Sequence, residues 1–398
     1  MINDSLNTRG SSCKSDSPEY CDVLIAGAGP VGLLLGHRLN QLGINFIVLE
    51  KRNDPYNHSR SIGIHPPSLE LFDQIDISKL LLNKGICIKK GRAYYDANEL
   101  LGTLNFTLCP GPHQYVLTLP QYQTEQILRD SLLEKAPGCI KSGVEVLGLR
   151  QYDHYVETEA YKGRKKISYR TSYLIGCDGK ASIVREKSGI SFTGGKYPYR
   201  YAMGDFDDNT GYVNQAAIYI GDEGLVETFP LSDGVRRWVA ELPGITDECT
   251  ISQFCGIISR RTGFIISQSS NSMFSNFEAE HYMAGRFHQN RVLLTGDSAH
   301  ILSPIGGQGM NLGWLDAWHL GKALQETLNQ KSPSMQPLVR WEKRRMQSAR
   351  KAITRAEINM ALGQKSQWPK LRKMAIERLI NFPFNRLMSR MFTMRGLS

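Results

Sequence analysis

Arg291-Val-Leu-Leu-Thr-Gly-Asp-Ser-Ala-His300 runs on through Pro304 to Gly306-Gly-Gln-Gly-Met-Asn-Leu-Gly313. An apolar strand here ends in a Gly-Asp pair, and a glycine-rich turn follows that opens a helix. The strand tip holds the Asp297 carboxylate where it can accept hydrogen bonds from hydroxyls of a bound ligand. The helix start beyond it offers a row of backbone N–H groups, which stabilise negative charge. Alone, the segment fits one βα turn of any α/β enzyme. Two further segments give it meaning.

The first is Cys21-Asp-Val-Leu-Ile-Ala26, an apolar run followed by Gly27-Ala-Gly-Pro-Val-Gly32 and a helical stretch to about Leu42. G-x-G-x-x-G is weak by itself but specific when a strand precedes it and a helix follows. Gly27 suits the tight turn, Gly29 the approach of pyrophosphate, and Gly32 the packing of helix on strand. The next apolar run, Asn45-Phe-Ile-Val-Leu-Glu50, ends in an acid 18 residues past Gly32, where a carboxylate bonds a ribose hydroxyl. The order of strand, glycines, helix and acid predicts a dinucleotide site. The second segment, Tyr173-Leu-Ile-Gly-Cys-Asp178-Gly-Lys-Ala-Ser182-Ile-Val-Arg185, is another apolar run capped by Asp-Gly. An Asp-Gly pair alone is a common turn, but here Ser182 and Arg185 follow at fixed offsets.

Together the three segments resemble the group A flavoprotein monooxygenases, the family of para-hydroxybenzoate hydroxylase. Gly27 to Gly32 matches that family's ADP-binding motif, with Pro30 inside it and Lys51 beside Glu50 as further candidate contacts. Asp178-Gly179 matches its Asp-Gly motif, and Gly296-Asp297 its Gly-Asp motif for the flavin ribityl chain. Arg60 and Gln121 stand in settings where the family contacts the flavin, although Gln123 competes with Gln121. The resemblance spans about Asp22 to Leu362. It implies FAD as cofactor, NAD(P)H as co-substrate, and O₂. It further implies hydroxylation or epoxidation of an electron-rich aromatic, quinol or polyketide-type substrate through a flavin C4a-hydroperoxide. Gly309, Met310 and Asn311 would turn helix-start N–H groups to the flavin pyrimidine edge, and Pro304 would lie in a loop beside flavin and substrate.

The fold expected is α/β: a Rossmann-like FAD-binding domain of glutathione-reductase type, an inserted sheet-based substrate domain and C-terminal helices. Residues 20–75 read as a βαβ unit, Gln121 to Leu133 as a helix, and Val144 to Ile175 as an antiparallel meander. From Ser191 to about Asn290 strands dominate. The boundaries read as a disordered tail at 1–19, the FAD-binding domain at 20–187 and 291–362, the substrate domain at 188–290, and a basic helical segment at 363–398.

Composition agrees. A chain of 398 residues with 41% hydrophobic and 22% charged residues is that of a globular protein with a sizeable core. No apolar run approaches the ~20 residues of a membrane span, and the polar first 19 residues lack a signal-peptide core. The eight cysteines show no C-x-x-C or zinc spacing and read as buried thiols in a reducing cytoplasm; no metal site is expected. The net charge of +10 is concentrated in Lys331 to Arg395, with 16 Lys or Arg against three acids. No nucleic-acid module accompanies it. Phe384, Leu387, Met388 and Met391 fall at helical spacing among Arg386, Arg390 and Arg395, which fits core packing or a basic face on a membrane surface. Pro383 predicts two short helices there.

No general base is evident: His65, His281, His288 and His300 qualify only by residue type, and His300 reads as structural. Tyr219, Phe229, Trp238 and Tyr282 are candidates to line a pocket or to fill a core. A flavin-dependent halogenase would carry W-x-W-x-I-P, and Gly313-Trp-Leu-Asp-Ala-Trp318 is not that motif. A two-dinucleotide reductase would need a second G-x-G-x-x-G. A non-catalytic relative would have lost the Gly-Asp pair that stands intact at Gly296-Asp297.

Overall fold

The computed structural model describes residues 18–54, 61–97, 99–242, 244, 248–330, 334–363 and 367–397. The chain opens with β1 (Glu19–Ala26), α1 (Pro30–Gln41), β2 (Phe46–Glu50), β3 (Gly63–Ile64), α2 (Pro66–Asp73) and α3 (Ser78–Lys84). There follow β4 (Ile86–Ile88), β5 (Lys90–Tyr95), β6 (Glu99–Asn105), β7 (Val116–Thr118) and α4 (Gln121–Lys135). Next come β8 (Ile140–Ser142), β9 (Val144–Gln151), β10 (Val156–Lys162), β11 (Lys165–Gly176) and α5 (Ile183–Lys187). The middle holds β12 (Phe192–Asp207), β13 (Ala216–Gly221), β14 (Gly224–Pro230), β15 (Val235–Glu241), α6 (Ile251–Thr262) and β16 (Met273–Ala284). The rest is β17 (His288–Gln289), β18 (Val292–Leu294), β19 (His300–Ile301), α7 (Gly309–Leu328), α8 (Gln336–Leu362), α9 (Pro369–Ile380) and α10 (Asn385–Phe392).

Two eight-stranded sheets carry the architecture. The first runs β17-β18-β11-β1-β2-β8, with β10 and β9 continuing antiparallel from β11. Its central strands β18, β11, β1, β2 and β8 are parallel. Such strands are covered on both faces and read as continuous apolar runs; Val23, Leu24, Ile25, Val48, Leu174 and Leu293 are fully buried. The helix α1 has Pro30 in its first turn, where a missing N–H costs nothing. It packs on α4 and α7. The βαβ unit, the α4 helix and the β9–β11 meander occur as the sequence predicts.

The second sheet runs β19-β16-β12-β15-β14-β13-β5-β6 and is antiparallel except where β13 meets β5. It therefore takes β5 and β6 from before residue 188 and β19 from after 290, beyond the stretch the sequence marks as its own. Partner choice between strands distant in the chain leaves no local signal, and this accounts for the difference. One face of this sheet packs on α6 through Ala202, Phe206, Val226, Trp238 and Phe254. Its other face looks toward the carboxyl ends of the first sheet's parallel strands, and α9 and α10 close over it with Ile376, Ile380 and Met388.

The C-terminal segment does break into two helices around Pro383. Ile376, Ile380 and Met388 pack inward, whereas Trp368, Leu371, Phe382, Phe384 and Leu387 stay exposed. No helix among the described residues is long and apolar enough to cross a membrane. Among them, too, no cluster of His, Cys, Asp or Glu could hold a metal. The seven described cysteines are unpaired, five of them buried. Residues 1–17, which make up most of the predicted tail, lie outside the described residues, and β1 begins at Glu19.

Candidate active site

Open α/β sheets bind ligands in the crevice beyond the carboxyl ends of their strands. Here those ends carry the three sequence segments side by side. β1 leads into Gly27–Pro30, β2 ends at Glu50, β11 leads into Cys177–Gly179, and β18 leads into Thr295–Asp297. Gly27 has φ +103°, and a Cβ there would come within 2.4 Å of the Cys177 carbonyl oxygen. At Gly32 a Cβ would lie 2.0 Å from the Gly27 carbonyl oxygen. Nothing lies within 4 Å of a Cβ built at Gly29. Two of these glycines therefore serve the turn itself, and the third leaves open space above the helix start.

The turns are tied to one another by hydrogen bonds. The Thr295 N–H donates to the Gly176 carbonyl at 3.0 Å, and the Ser298 hydroxyl donates to the same carbonyl at 2.6 Å. Arg185, which follows the Asp-Gly pair, is buried and donates to the carbonyls of Ser298 and Lys180. The Trp314 indole of α7 donates to the Pro30 carbonyl at 3.0 Å. Gly313 of α7 lets the helix sit against Val31 and Gly296, where a Cβ would meet Val31 Cγ2 at 2.7 Å.

The carboxylates differ in their surroundings. Glu50 accepts from the Ala28 N–H at 2.9 Å and from the N–H and Nε of Arg52, each at 3.0 Å. Burial works to raise its pKa, but the hydrogen bonds from Arg52 and Ala28 outweigh it and hold the acid ionised. Asp178 accepts from the Val184 N–H through Oδ2 at 3.1 Å. Its Oδ1 is buried without a hydrogen-bond partner among the described residues, and burial raises its pKa despite the bonds from Ser182 and Val184. Asp297 is open to the crevice yet walled by protein on its other sides, and this enclosure raises its pKa.

A cavity of about 770 Å³ joins these groups, within the size of small-molecule and cofactor sites. Of the predicted residues, Gly27, Gly29, Pro30, Glu50, Lys51, Gln121, Asp178, Asp297, Pro304, Gly309 and Met310 line it. Gln121 is at the wall and donates to Glu125, whereas Gln123 bonds Tyr122 and does not line the cavity. Gly32 lies beneath the turn. The Asn311 side chain is buried and turned away: it accepts from the His65 N–H and donates to the carbonyls of Gly63 and Gly307. It fixes the loops around the helix start, a placement the G-M-N run could not reveal. The first helix-closing bond of α7 runs from Leu312 N–H to the Gln308 carbonyl, so the N–H groups of Gly309, Met310 and Asn311 precede the ladder. Arg60 lies outside the described residues.

Of the four histidines, only His65 lines the cavity, and burial lowers its pKa to about 4, so its ring is neutral at physiological pH. His300 is fully buried and bonds Asp316, as its structural reading expects. His281 packs against Tyr197 with its ring tilted by 37°, and His288 bonds the Asn290 carbonyl. Among the aromatic candidates Phe229 lines the cavity, Tyr219 and Trp238 fill the core on the far face of the second sheet, and Tyr282 stacks on Phe192.

Sequence reasoning missed Glu227 and Arg237, the two ionisable groups that β14 and β15 add to a largely apolar cavity wall, to which β5 adds Arg92. A signal existed: strand alternation puts Glu227 on the same face as Leu225 and Phe229. A glutamate in a strand is ordinarily taken for its solvent face.

These features fit a bound dinucleotide flavin: open space at Gly29, the orphaned Asp178 Oδ1, and the reachable Asp297 carboxylate around one cavity. The family described as FAD binding domain matches residues 20–356. A rifampicin monooxygenase from Streptomyces venezuelae is 32% identical over 308 residues, covering 75% of this chain and 63% of that protein. The chain spans less than two thirds of the length of the curated relatives it matches. The anhydrotetracycline hydroxylase structure from Streptomyces rimosus aligns with a TM-score of 0.78 at 27% identity, over 94% of this chain and 76% of that one. The p-nitrophenol 4-monooxygenase structure from Pseudomonas putida shares the fold, with a TM-score of 0.87 at 23% identity over 95% and 99% of the two chains. With the three motifs gathered at one crevice and the family match running through all of them, the chain belongs to the para-hydroxybenzoate hydroxylase-like family of FAD-dependent monooxygenases.

Proposed function

We propose that this protein is an NAD(P)H- and O₂-dependent monooxygenase that adds one oxygen atom to an electron-rich aromatic, quinol or polyketide-type molecule. The observation that carries the reading is one cavity with two unlike ends. Its first-sheet end has the carboxylates and glycines of a nucleotide site, and its second-sheet end is an apolar wall that includes Ile218, Phe229 and Phe277. Bound FAD supplies the redox and oxygen chemistry. The chain's own work is binding, orientation and exclusion of water.

Glu50, Gly29 and Asp297 all line the cavity, with open space at Gly29; in this reading Glu50 would accept a ribose hydroxyl, Gly29 would admit the pyrophosphate, and Asp297 would accept from the ribityl hydroxyls. The N-terminus of α7, at Gly309 and Met310, offers positive dipole where charge develops on the flavin's pyrimidine side. The apolar wall and the helices over it keep water from the reacting end, which oxygen transfer requires. NAD(P)H binds transiently in this reading, since the chain has a single G-x-G-x-x-G unit. Pro304 lines the cavity, and in this reading its loop would lie beside flavin and substrate. The exposed Trp368, Leu371 and Phe382, set among Lys370, Arg378 and Arg386, add a salt-sensitive contact with anionic membrane surface for lipophilic substrates.

The expected protein is yellow as purified. Asp297→Ala weakens FAD retention by ~1.5–3 kcal/mol, because hydroxyls lose a charged acceptor. Equilibrium dialysis against FAD checks this. Labelled O₂ then tests the reaction: product carrying one labelled oxygen supports it, and label found only in water and peroxide with every activating aromatic points to an oxidase.

A further inference from the structure

Glu227 is a feature of the cavity wall that neither the motifs nor the family match explains. It stands on β14 between Leu225 and Phe229, which face the cavity with it, while Val226 and Thr228 point into the opposite core. The residue is 8% exposed. It has no hydrogen-bond or ion-pair partner among the described residues, and its remaining exposure is to the cavity. A buried carboxyl without a partner is expensive to keep. It is tolerated where a ligand supplies the missing contact.

The neighbours on each packed element leave its charge uncompensated. On β15, Arg237 is held in a bidentate pair with Asp205 of β12, at 2.7 Å for both bonds. Glu241, also on β15, accepts from the Leu225 N–H. Tyr201 of β12 lies close by, its buried phenol kept protonated well above the usual range by burial first and by Glu241 and Glu227 next. The neighbouring β13 presents Ile218, and α9 and α10 present only apolar side chains to the cavity. Burial alone accordingly pushes the Glu227 carboxyl up to about 7.

Resting on the monooxygenase reading above, we infer that Glu227 is a catalytic base that takes the proton from a phenolic hydroxyl of the substrate. The O–H bond of the phenol breaks, the proton forms a new O–H bond on the Glu227 carboxylate, and the electron pair stays on the phenolate oxygen. No electrons change hands in this step. The ring becomes more electron-rich and attacks an electrophilic oxygen more readily. Glu227 returns the proton to the same oxygen when the ring, after losing the hydrogen at the oxygenated carbon, regains aromaticity. A base titrating near neutral pH is matched to this task.

The test uses the FAD-loaded protein, as wild type, Glu227→Gln and Glu227→Asp, with phenols of graded acidity from phenol itself to 4-nitrophenol. Product formation is followed from about pH 5.5 to 9. In the wild type kcat rises with pH through about 7 and then levels, since only the carboxylate accepts a proton. Glu227→Gln loses that limb and slows roughly 10²–10⁴-fold with phenol. It loses far less with 4-nitrophenol, which ionises unaided, and Glu227→Asp keeps the limb. FAD content and melting temperature report that the variants are folded. A Gln variant that keeps the acid limb, or slows by one common factor with every phenol, overturns the inference and leaves the proposed function standing. Wild-type protein that oxygenates none of these phenols also overturns the inference, while the labelled-O₂ test decides the proposed function separately.

Discussion

Single glycines divide the turn after β1 into positions that the fold itself needs and one that it leaves open. A Cβ at Gly32 would sit 2.0 Å from the Gly27 carbonyl oxygen, which is backbone and cannot step aside. Gly32→Ala is therefore expected to cost about 2 kcal/mol or more in stability. Gly29 is unlike it: its φ of −73° suits any residue and open space surrounds it. Gly29→Val is expected to melt like wild type without FAD yet to bind FAD roughly tenfold more weakly, a change of ~1.4 kcal/mol. Thermal melts paired with FAD titration separate the two, and a Gly29→Val protein with unchanged affinity would remove Gly29 from the site. This division was half legible in the sequence, since spacing shows that glycine is needed but not whether a carbonyl or a ligand needs it. Glu227 was legible only as sharing a strand face with Leu225 and Phe229; that this face turns inward depends on which side of β14 the fold buries.

Among the elements, α7 does the most to join the site to the rest of the fold. It starts at the cavity with Gly309, seats Gly313 on the Gly-Asp turn, and buries Asp316 between His300 and Arg345. Burial alone would push the Asp316 acid up, but Arg345 and His300 outweigh it and hold its pKa low. The pair Arg345–Asp316, at 2.5 Å, is closed further by the Trp341 indole on the Asp316 carbonyl. Removing one partner leaves a buried charge uncompensated, so Asp316→Ala is expected to lose about 3–5 kcal/mol. Urea unfolding measures it, and a loss under 1 kcal/mol would mean that water reaches Arg345. The existence of the helix was legible from the glycine-rich turn that opens it. The buried cluster of Asp316 with His300 and Arg345 was not, since its members are separated by 16 and 29 residues in sequence and each alone looks like surface chemistry.

At the scale of the whole molecule, the parallel sheet and its motifs were readable because their signals are local: apolar run, glycine turn, acid. The second sheet was readable only as strands. That it takes in β5, β6 and β19 follows from long-range pairing, which no window of sequence contains. The basic C-terminal segment shows the same limit, for it divides its apolar residues between the cavity roof and the exterior. With Trp368 and Phe382 outward beside Lys370, Arg378 and Arg386, the protein is expected to sediment with anionic vesicles at low salt and to release at high salt. Equal recovery with neutral and anionic vesicles would confine the segment to its roofing role.

That roof has a bearing on how the protein is made. The cavity draws one wall from Gly27–Lys51 and another from Ile376–Phe392. A nascent chain cannot enclose the pocket until the ribosome has passed Phe392, however early the first sheet's strands emerge. Before that point only the first sheet's half of the site exists, so the enclosed form of the pocket depends on segments translated after both sheets.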